Sequence, residues 1–224
     1  MRKAELESRI AGIRSFGDRE SLILNSCRDR SVLDVGCVGQ ARDHDSEHWL
    51  HGQLRKVASN LIGVDINLAG CEELRIRGYD VLPLEELEGC TFERIVMGDV
   101  IEHVDNPVAL LEFYTKYLAD DGRIIVTTPN AFSALQLFWI ATRNRVWVNP
   151  EHICFYDPLT LAEVVERAGL EIVNFVWLKT VRHERLDLKG RVILAIGALA
   201  QRARPYLAED FFVELAQARA RAEA

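Results

Sequence analysis

No apolar stretch of the 224-residue chain approaches the ~20 residues that a bilayer-crossing helix requires. The most apolar late run, Val192 to Ala200, is only half that length and lies between Arg191 and Arg202, so no transmembrane segment is expected. The first ten residues are charged throughout and lack the apolar core of a secretion signal. The five cysteines, Cys27, Cys37, Cys71, Cys90 and Cys154, contain no CxxC spacing. An odd, scattered set without a signal reads as reduced thiols, and a cytoplasmic location is the expectation. An excess of positive charge is also missing, since 27 Lys and Arg face 34 Asp and Glu, a net charge of -7. Phosphate backbones are held by Lys and Arg, so no nucleic-acid partner is expected. Repeats, low-complexity runs and Pro/Gly/Ser-rich linkers are absent too. What remains is one large α/β domain with small additions, long enough to bury its core without staples.

Within it, short β-rich runs recur at 31–36, 60–65, 79–82, 92–98, 123–128 and 171–178, with a weaker last run at 211–216. Helical patterns lie between them, at roughly 41–58, 68–77, 107–119, 158–168 and 186–203. Asp157-Pro158 reads as a cap and first turn, and Gly169 as the stop of that helix. Such alternation implies parallel strands joined by crossover helices, a doubly wound sheet. Ligands of these sheets bind beyond the carboxyl ends of the strands, near the switch in strand order.

The first run ends in Asp34-Val35-Gly36-Cys37-Val38-Gly39 and the second in Asp65. Glycine at a strand end permits a tight turn and close ligand approach, although a plain strand-to-helix turn would use it equally. A carboxylate at the neighbouring tip suits the two hydroxyls of a ribose; alone it also reads as a helix cap. Together, in this order, they point to a nucleoside. The spacing G-x-x-G lacks the G-x-G-x-x-G of dinucleotide sites, which disfavours a nicotinamide cofactor.

The ordered set of motifs resembles the class I S-adenosylmethionine-dependent methyltransferases. Val32 to Gly39 is similar to their first motif, and Gly63-Val64-Asp65 to the acidic tip of their second strand. Gly98-Asp99-Val100-Ile101-Glu102-His103-Val104-Asp105-Asn106-Pro107 resembles the segment after strand 4 in one large branch. Leu118 to Asn130 and His152 to Gly169 match two further segments, so the resemblance covers roughly 30–178. That branch holds the O-methyltransferases of ubiquinone biosynthesis and enzymes of glycan and antibiotic gene clusters. The resemblance implies a seven-stranded Rossmann-like sheet, mostly parallel with an antiparallel last strand. It further implies an N-terminal helical segment, 1–28, before a methyltransferase domain, 29–224, with a lid-like insertion at about 131–150.

For the cofactor, S-adenosylmethionine, the resemblance sets Gly36, Cys37 and Gly39 against the methionine part, with Asp34 holding its ammonium through the loop. Asp65 takes the ribose hydroxyls, Ile66 packs on the adenine, and Gly98 and Asp99 border the sulfonium. One departure stands out: the family has glycine where Val38 and Gln40 stand. A side chain at Val38 crowds the cofactor unless the loop runs differently.

Methyl transfer is an in-line displacement, and an acceptor hydroxyl must lose its proton to a base or a metal ion. The candidates are Glu102, His103 and His152, with Asp99 beside them; 99, 102 and 103 share one face if the segment turns helically. Two carboxylates and two imidazoles also suit Mg²⁺ or another divalent cation, and the set resembles the Glu-x-x-Glu-His plus distant His site of ubiquinone-pathway and plant small-RNA methyltransferases. The stretch 131–150, with Phe132, Phe138, Trp139, Trp147, Arg143 and Arg145, reads either as a lid over the acceptor or as core. The expected function is O-methylation of a small hydroxylated acceptor, first a sugar or glycan-linked hydroxyl and second a phenol. A non-catalytic domain that keeps the fold is the alternative.

Overall fold

The computed structural model describes residues 1–10, 12–40, 43–179 and 197–218. Four of the apolar runs become the parallel strands β2 (Ser31–Val35), β3 (Asn60–Val64), β4 (Phe92–Gly98) and β5 (Leu118–Pro129), with β3 at the sheet edge. β2 is covered on both faces, and four of its five residues are buried without alternation, the signature of a strand inside an α/β sheet. β6 (Leu170–Leu178) and β7 (Asp210–Gln217) complete one side. The sheet order is β1-β6-β7-β5-β4-β2-β3, and only β7 runs antiparallel to its neighbours.

Two strands differ from the expected set. The run at 79–82 forms only a single bridge, Val81 to Gly63. Pro83 follows it directly and cannot donate to a ladder, so the pairing stops there. The seventh place belongs instead to β1 (Phe16–Gly17), which pairs with β6 at the opposite edge. β1 lies between α1 (Lys3–Ile10) and α2 (Arg19–Cys27), so the N-terminal segment joins the central sheet.

The helices α4 (Leu68–Ile76), α5 (Pro107–Thr115) and α7 (Pro158–Arg167) occupy the expected places. α7 starts in a capping box between Asp157 and Thr160 and ends at Gly169, whose φ is 73°. The pattern at 41–58 yields only α3 (Leu50–Leu54). The residues before it, Asp43 to Ser46, favour turns through their short polar side chains, and His44 and Trp49 bond the preceding loop rather than extend a helix. Of the tail pattern, 186–196 falls outside the described residues, and 197–203 is helical. Among the described residues, no helix is long and apolar enough to cross a membrane.

The carboxyl ends of β2, β3, β4 and β5 meet at one edge. β2 pairs with β4 on one side and β3 on the other, so the strand order switches there and opens a crevice.

Candidate active site

The chain leaves β2 through two left-handed residues, Gly36 (φ 81°) and Gly39 (φ 66°), a conformation that L side chains adopt at a cost. A Cβ added at Gly39 would meet nothing within 4 Å, so this turn borders open space. Between them, Val38 is 1% exposed. It packs on α4, where a Cβ on Gly70 would come within 2.5 Å of Val38 Cγ1. Gly70 leaves the room on α4 that the Val38 side chain occupies.

Three side chains, Trp49, His44 and Asp65, bond this loop, and Asp34 pairs with His51 beneath it. Trp49 Nε1 donates to the Cys37 carbonyl (2.9 Å), and His44 Nε2 lies 2.9 Å from the Val38 carbonyl. Asp34 is buried and bonded to His51 Nδ1 at 2.9 Å. Asp65 Oδ2 accepts the Val38 N–H (3.0 Å), and its Oδ1 accepts the Asn67 N–H (2.8 Å). Each carboxylate oxygen keeps a further lone pair for a ligand.

A cavity of about 680 Å³ opens at this edge, lined by Gly36, Gly39, Asp65, Ile66, Gly98 and Asp99 and by Glu102, His103 and His152. Ile66 is 93% exposed at its rim. A second cavity of about 330 Å³, lined by Arg19, Asp34, Cys37 and His51, shares Gly36, Gly39 and Gly98 with the first. The expected cofactor residues therefore line two adjoining spaces, one lined by Asp65 and one by Arg19.

Nothing in the local sequence marks Arg19. It opens α2, with its Nη2 2.8 Å from Asp99 Oδ2 and its Nε donating to Thr127 Oγ1 (3.1 Å). A Cβ on Gly98 would lie 2.7 Å from its Nη2. Asp99 itself is left-handed (φ 59°), which turns its carboxylate to Arg19 and to the Thr127 hydroxyl (2.9 Å). Asp99 does not join the other three, because the 3₁₀ turn begins only at Ile101.

Glu102, His103 and His152 do come together, with one ligand atom from each within 4.8 Å of the others. The Glu102 carbonyl accepts from the backbones of Ile153 (2.8 Å) and Cys154 (3.1 Å), which draws the second loop in. The rings of His103 and His152 meet edge to face at 4.6 Å. Glu102 is 1% exposed; its Oε2 accepts from Thr128, while its Oε1 is buried without a partner, 4.0 Å from His152 Nε2. Burial, and then the charge of Asp99, push the Glu102 carboxyl up to about 8. Burial, and then His103, lower His152. Asp210, at the start of β7 opposite Pro129, also lines the cavity and is pushed up to about 7 by burial and by Asp99.

The Glu102 shift has a consequence for stability. A carboxyl whose folded pKa exceeds its unfolded value stabilises most at low pH, and that contribution is lost as pH rises through about 8. Glu102→Gln is therefore expected to raise Tm relative to wild type more at pH 9 than at pH 6, by about 4 °C. Thermal melts at the two pH values check this, and an unchanged gap would contradict it.

α6 (Ala134–Arg143) has no buried residue, so the stretch does not behave as core. Gln136 bonds both backbone groups of Trp147, whose ring stacks on Trp139 at 5.7 Å. The Arg143 and Arg145 guanidiniums lie 5.8 and 5.5 Å from the Trp139 ring centre.

A doubly wound sheet with a glycine turn after its first long strand and an acid at the tip of the next defines a class I S-adenosylmethionine-dependent methyltransferase. A family model described as a methyltransferase domain matches residues 7–174, and the chain belongs to that family. Among curated relatives, it is 26% identical over 158 residues to the ubiquinone biosynthesis O-methyltransferase of Idiomarina loihiensis, with 63% of this chain and 62% of that protein covered. The Xylella fastidiosa protein of the same name is 28% identical over 150 residues, covering 63% and 61%. The chain thus spans about three-fifths of these relatives' length. A methyltransferase of Archaeoglobus fulgidus shares the fold, with a TM-score of 0.55 at 19% identity over 95% of this chain and 91% of that one. So does magnesium protoporphyrin IX methyltransferase of Synechocystis, with a TM-score of 0.53 at 12% identity over 96% and 83%.

Proposed function

We propose that the protein transfers a methyl group from S-adenosylmethionine to a hydroxyl of a small acceptor, first a sugar or glycan-linked hydroxyl and second a phenol. The observation that carries this is the meeting of Glu102, His103 and His152 at the cofactor cavity, with one buried carboxylate oxygen left unpartnered. An amine needs no such proton acceptor if it arrives uncharged, whereas a hydroxyl does. The names of the curated O-methyltransferase relatives support the same choice.

The cavity walls suit the cofactor, which supplies an electrophilic methyl on a sulfonium. Asp65 takes the two ribose hydroxyls at one end, beside Ile66. Arg19 faces the carboxylate of the methionine part at the other, and Asp34 steadies the loop under its ammonium. The backbone of Gly36, Cys37 and Gly39 lets the ligand lie close, and Gly98 and Asp99 border the sulfur. On the acceptor side, His152 or His103 takes the hydroxyl proton as attack proceeds. Burial, and then His103, shift His152 towards the unprotonated form that this role requires.

The three ligand atoms, one of them from Glu102, also fit a divalent cation such as Mg²⁺. Glu102, His103 and His152 would hold it, and it would acidify the acceptor hydroxyl.

Calorimetric titration with S-adenosylhomocysteine, with and without Mg²⁺, tests the reading. Micromolar binding in either run is expected. Absence of binding in both overturns it.

A further inference from the structure

Gln40 stands where the family pattern has glycine, and its side chain leaves the cofactor loop altogether. It reaches the loop 149–152 on the far side of the cavity mouth. Gln40 Nε2 donates to Glu151 Oε2 (2.6 Å), and Gln40 Oε1 accepts from Asn149 Nδ2 (2.8 Å). Glu151 and Asn149 are tied to each other by a bond from the Glu151 N–H to Asn149 Oδ1 (3.1 Å). Both ends of the amide are therefore gripped by one closed ring of contacts. The same Nε2 lies 3.5 Å from His103 Nε2, and His103 Nδ1 lies 3.0 Å from the Glu151 carbonyl. Among the described residues, Gln40 makes every hydrogen bond between the loop 36–40 and the loop 149–152.

Glycine at this position would leave the two loops unconnected. Here the loop that wraps the cofactor is fastened to the loop that carries His152, and to His103 itself. Gln40, Asn149, Glu151 and His152 line the same cavity as Asp65 and Gly36, so the bridge passes over the space the cofactor fills.

We propose that Gln40 is a positioning residue: it clasps the cofactor loop to the acceptor loop, holding bound cofactor in place and fixing His103 and His152 relative to it. This rests on the assignment of the cavity to S-adenosylmethionine and of the two histidines to the acceptor. The cofactor then enters and leaves with the clasp open, and its seating sets the place of the catalytic imidazoles.

An exchange of partners tests this without knowledge of the acceptor. Gln40→Glu removes the donor and sets a carboxylate against Glu151. In the double variant Gln40→Glu with Glu151→Gln, amide and carboxylate trade places, and the bond is restored in the opposite direction. Both side chains are exposed, so the fold does not depend on them. Release of S-adenosylhomocysteine is followed by stopped-flow displacement, and the histidine ring signals of the complex by NMR. Gln40→Glu is expected to release the ligand about tenfold faster and to shift the His103 and His152 signals, as loss of a charge-assisted bond between two loops should. The double variant is expected to return the rate to within about threefold of wild type, a non-additivity that simple loss of structure does not produce. Unchanged release and signals in Gln40→Glu would overturn the proposal alone, as would a double variant no better than the single. No binding to the wild-type protein would overturn it together with the cofactor assignment.

Discussion

Asp65→Ala is expected to weaken S-adenosylhomocysteine binding about a hundredfold. On the proposed reading the carboxylate takes the ribose hydroxyls, and two hydrogen bonds to a charged acceptor are worth about 1.5–3 kcal/mol each before compensation. It has a second task, since its oxygens hold the N–H of Val38 and of Asn67. Removing it therefore frees the glycine loop as well as the ribose hydroxyls. Asp65→Asn separates the two contributions. Its amide keeps one acceptor for the loop but presents N–H where a second is needed, so an intermediate loss is expected. Calorimetry on both variants is the check, and an affinity within about threefold of wild type for Asp65→Ala would remove this residue from the site.

The second large effect falls on turnover. His152→Ala is expected to lower kcat by about 10²–10⁴-fold while leaving the affinity for S-adenosylhomocysteine within about threefold, the range that loss of a positioned proton acceptor produces. A domain that merely binds the cofactor has no kcat to lose, so the split between kcat and binding separates the two readings. The pH profile adds a direction. Burial first, and the neighbouring His103 second, hold the His152 imidazolium below its ordinary 6.5. The acid limb of the wild-type kcat should then lie below that value. In His103→Ala one of the two causes is gone, and the limb should move up towards 6.5. Methyl transfer from labelled S-adenosylmethionine to a panel of methyl glycosides and simple phenols supplies the rates. Equal rates for wild type and both variants would exclude the histidines from the chemistry.

Much of this site follows from short-range order. The apolar runs around Val32, Ile62, Ile95 and Ile124 each form a parallel strand, because the helix-covered faces of an α/β sheet select apolar residues. Gly36 and Asp65 fall at strand tips because the chain leaves both strands at the same edge, a property of parallel pairing itself. Asp157, Pro158 and Gly169 bound α7 because capping and left-handed termination are decided by neighbours in the chain.

Other features depend on contacts that no local pattern encodes. The run at Tyr79 to Leu82 has strand character, yet Pro83 beside it and the open sheet edge leave it a single bridge. Val38 is buried against α4 because Gly70, thirty-two residues later, makes room for it. Asp99 shares the spacing of Glu102 and His103, but its left-handed backbone turns it to Arg19 instead. Arg19 lies 108 residues from Thr127, and Gln40 lies 111 from Glu151. The sequence by itself determined the methyltransferase fold class and the strand tips that carry Gly36 and Asp65, since periodicity and turn chemistry are local. Only the tertiary structure decided which charge Asp99 meets, where Val38 goes and what Gln40 holds, because a side chain's direction is set by what packs against it from elsewhere in the chain.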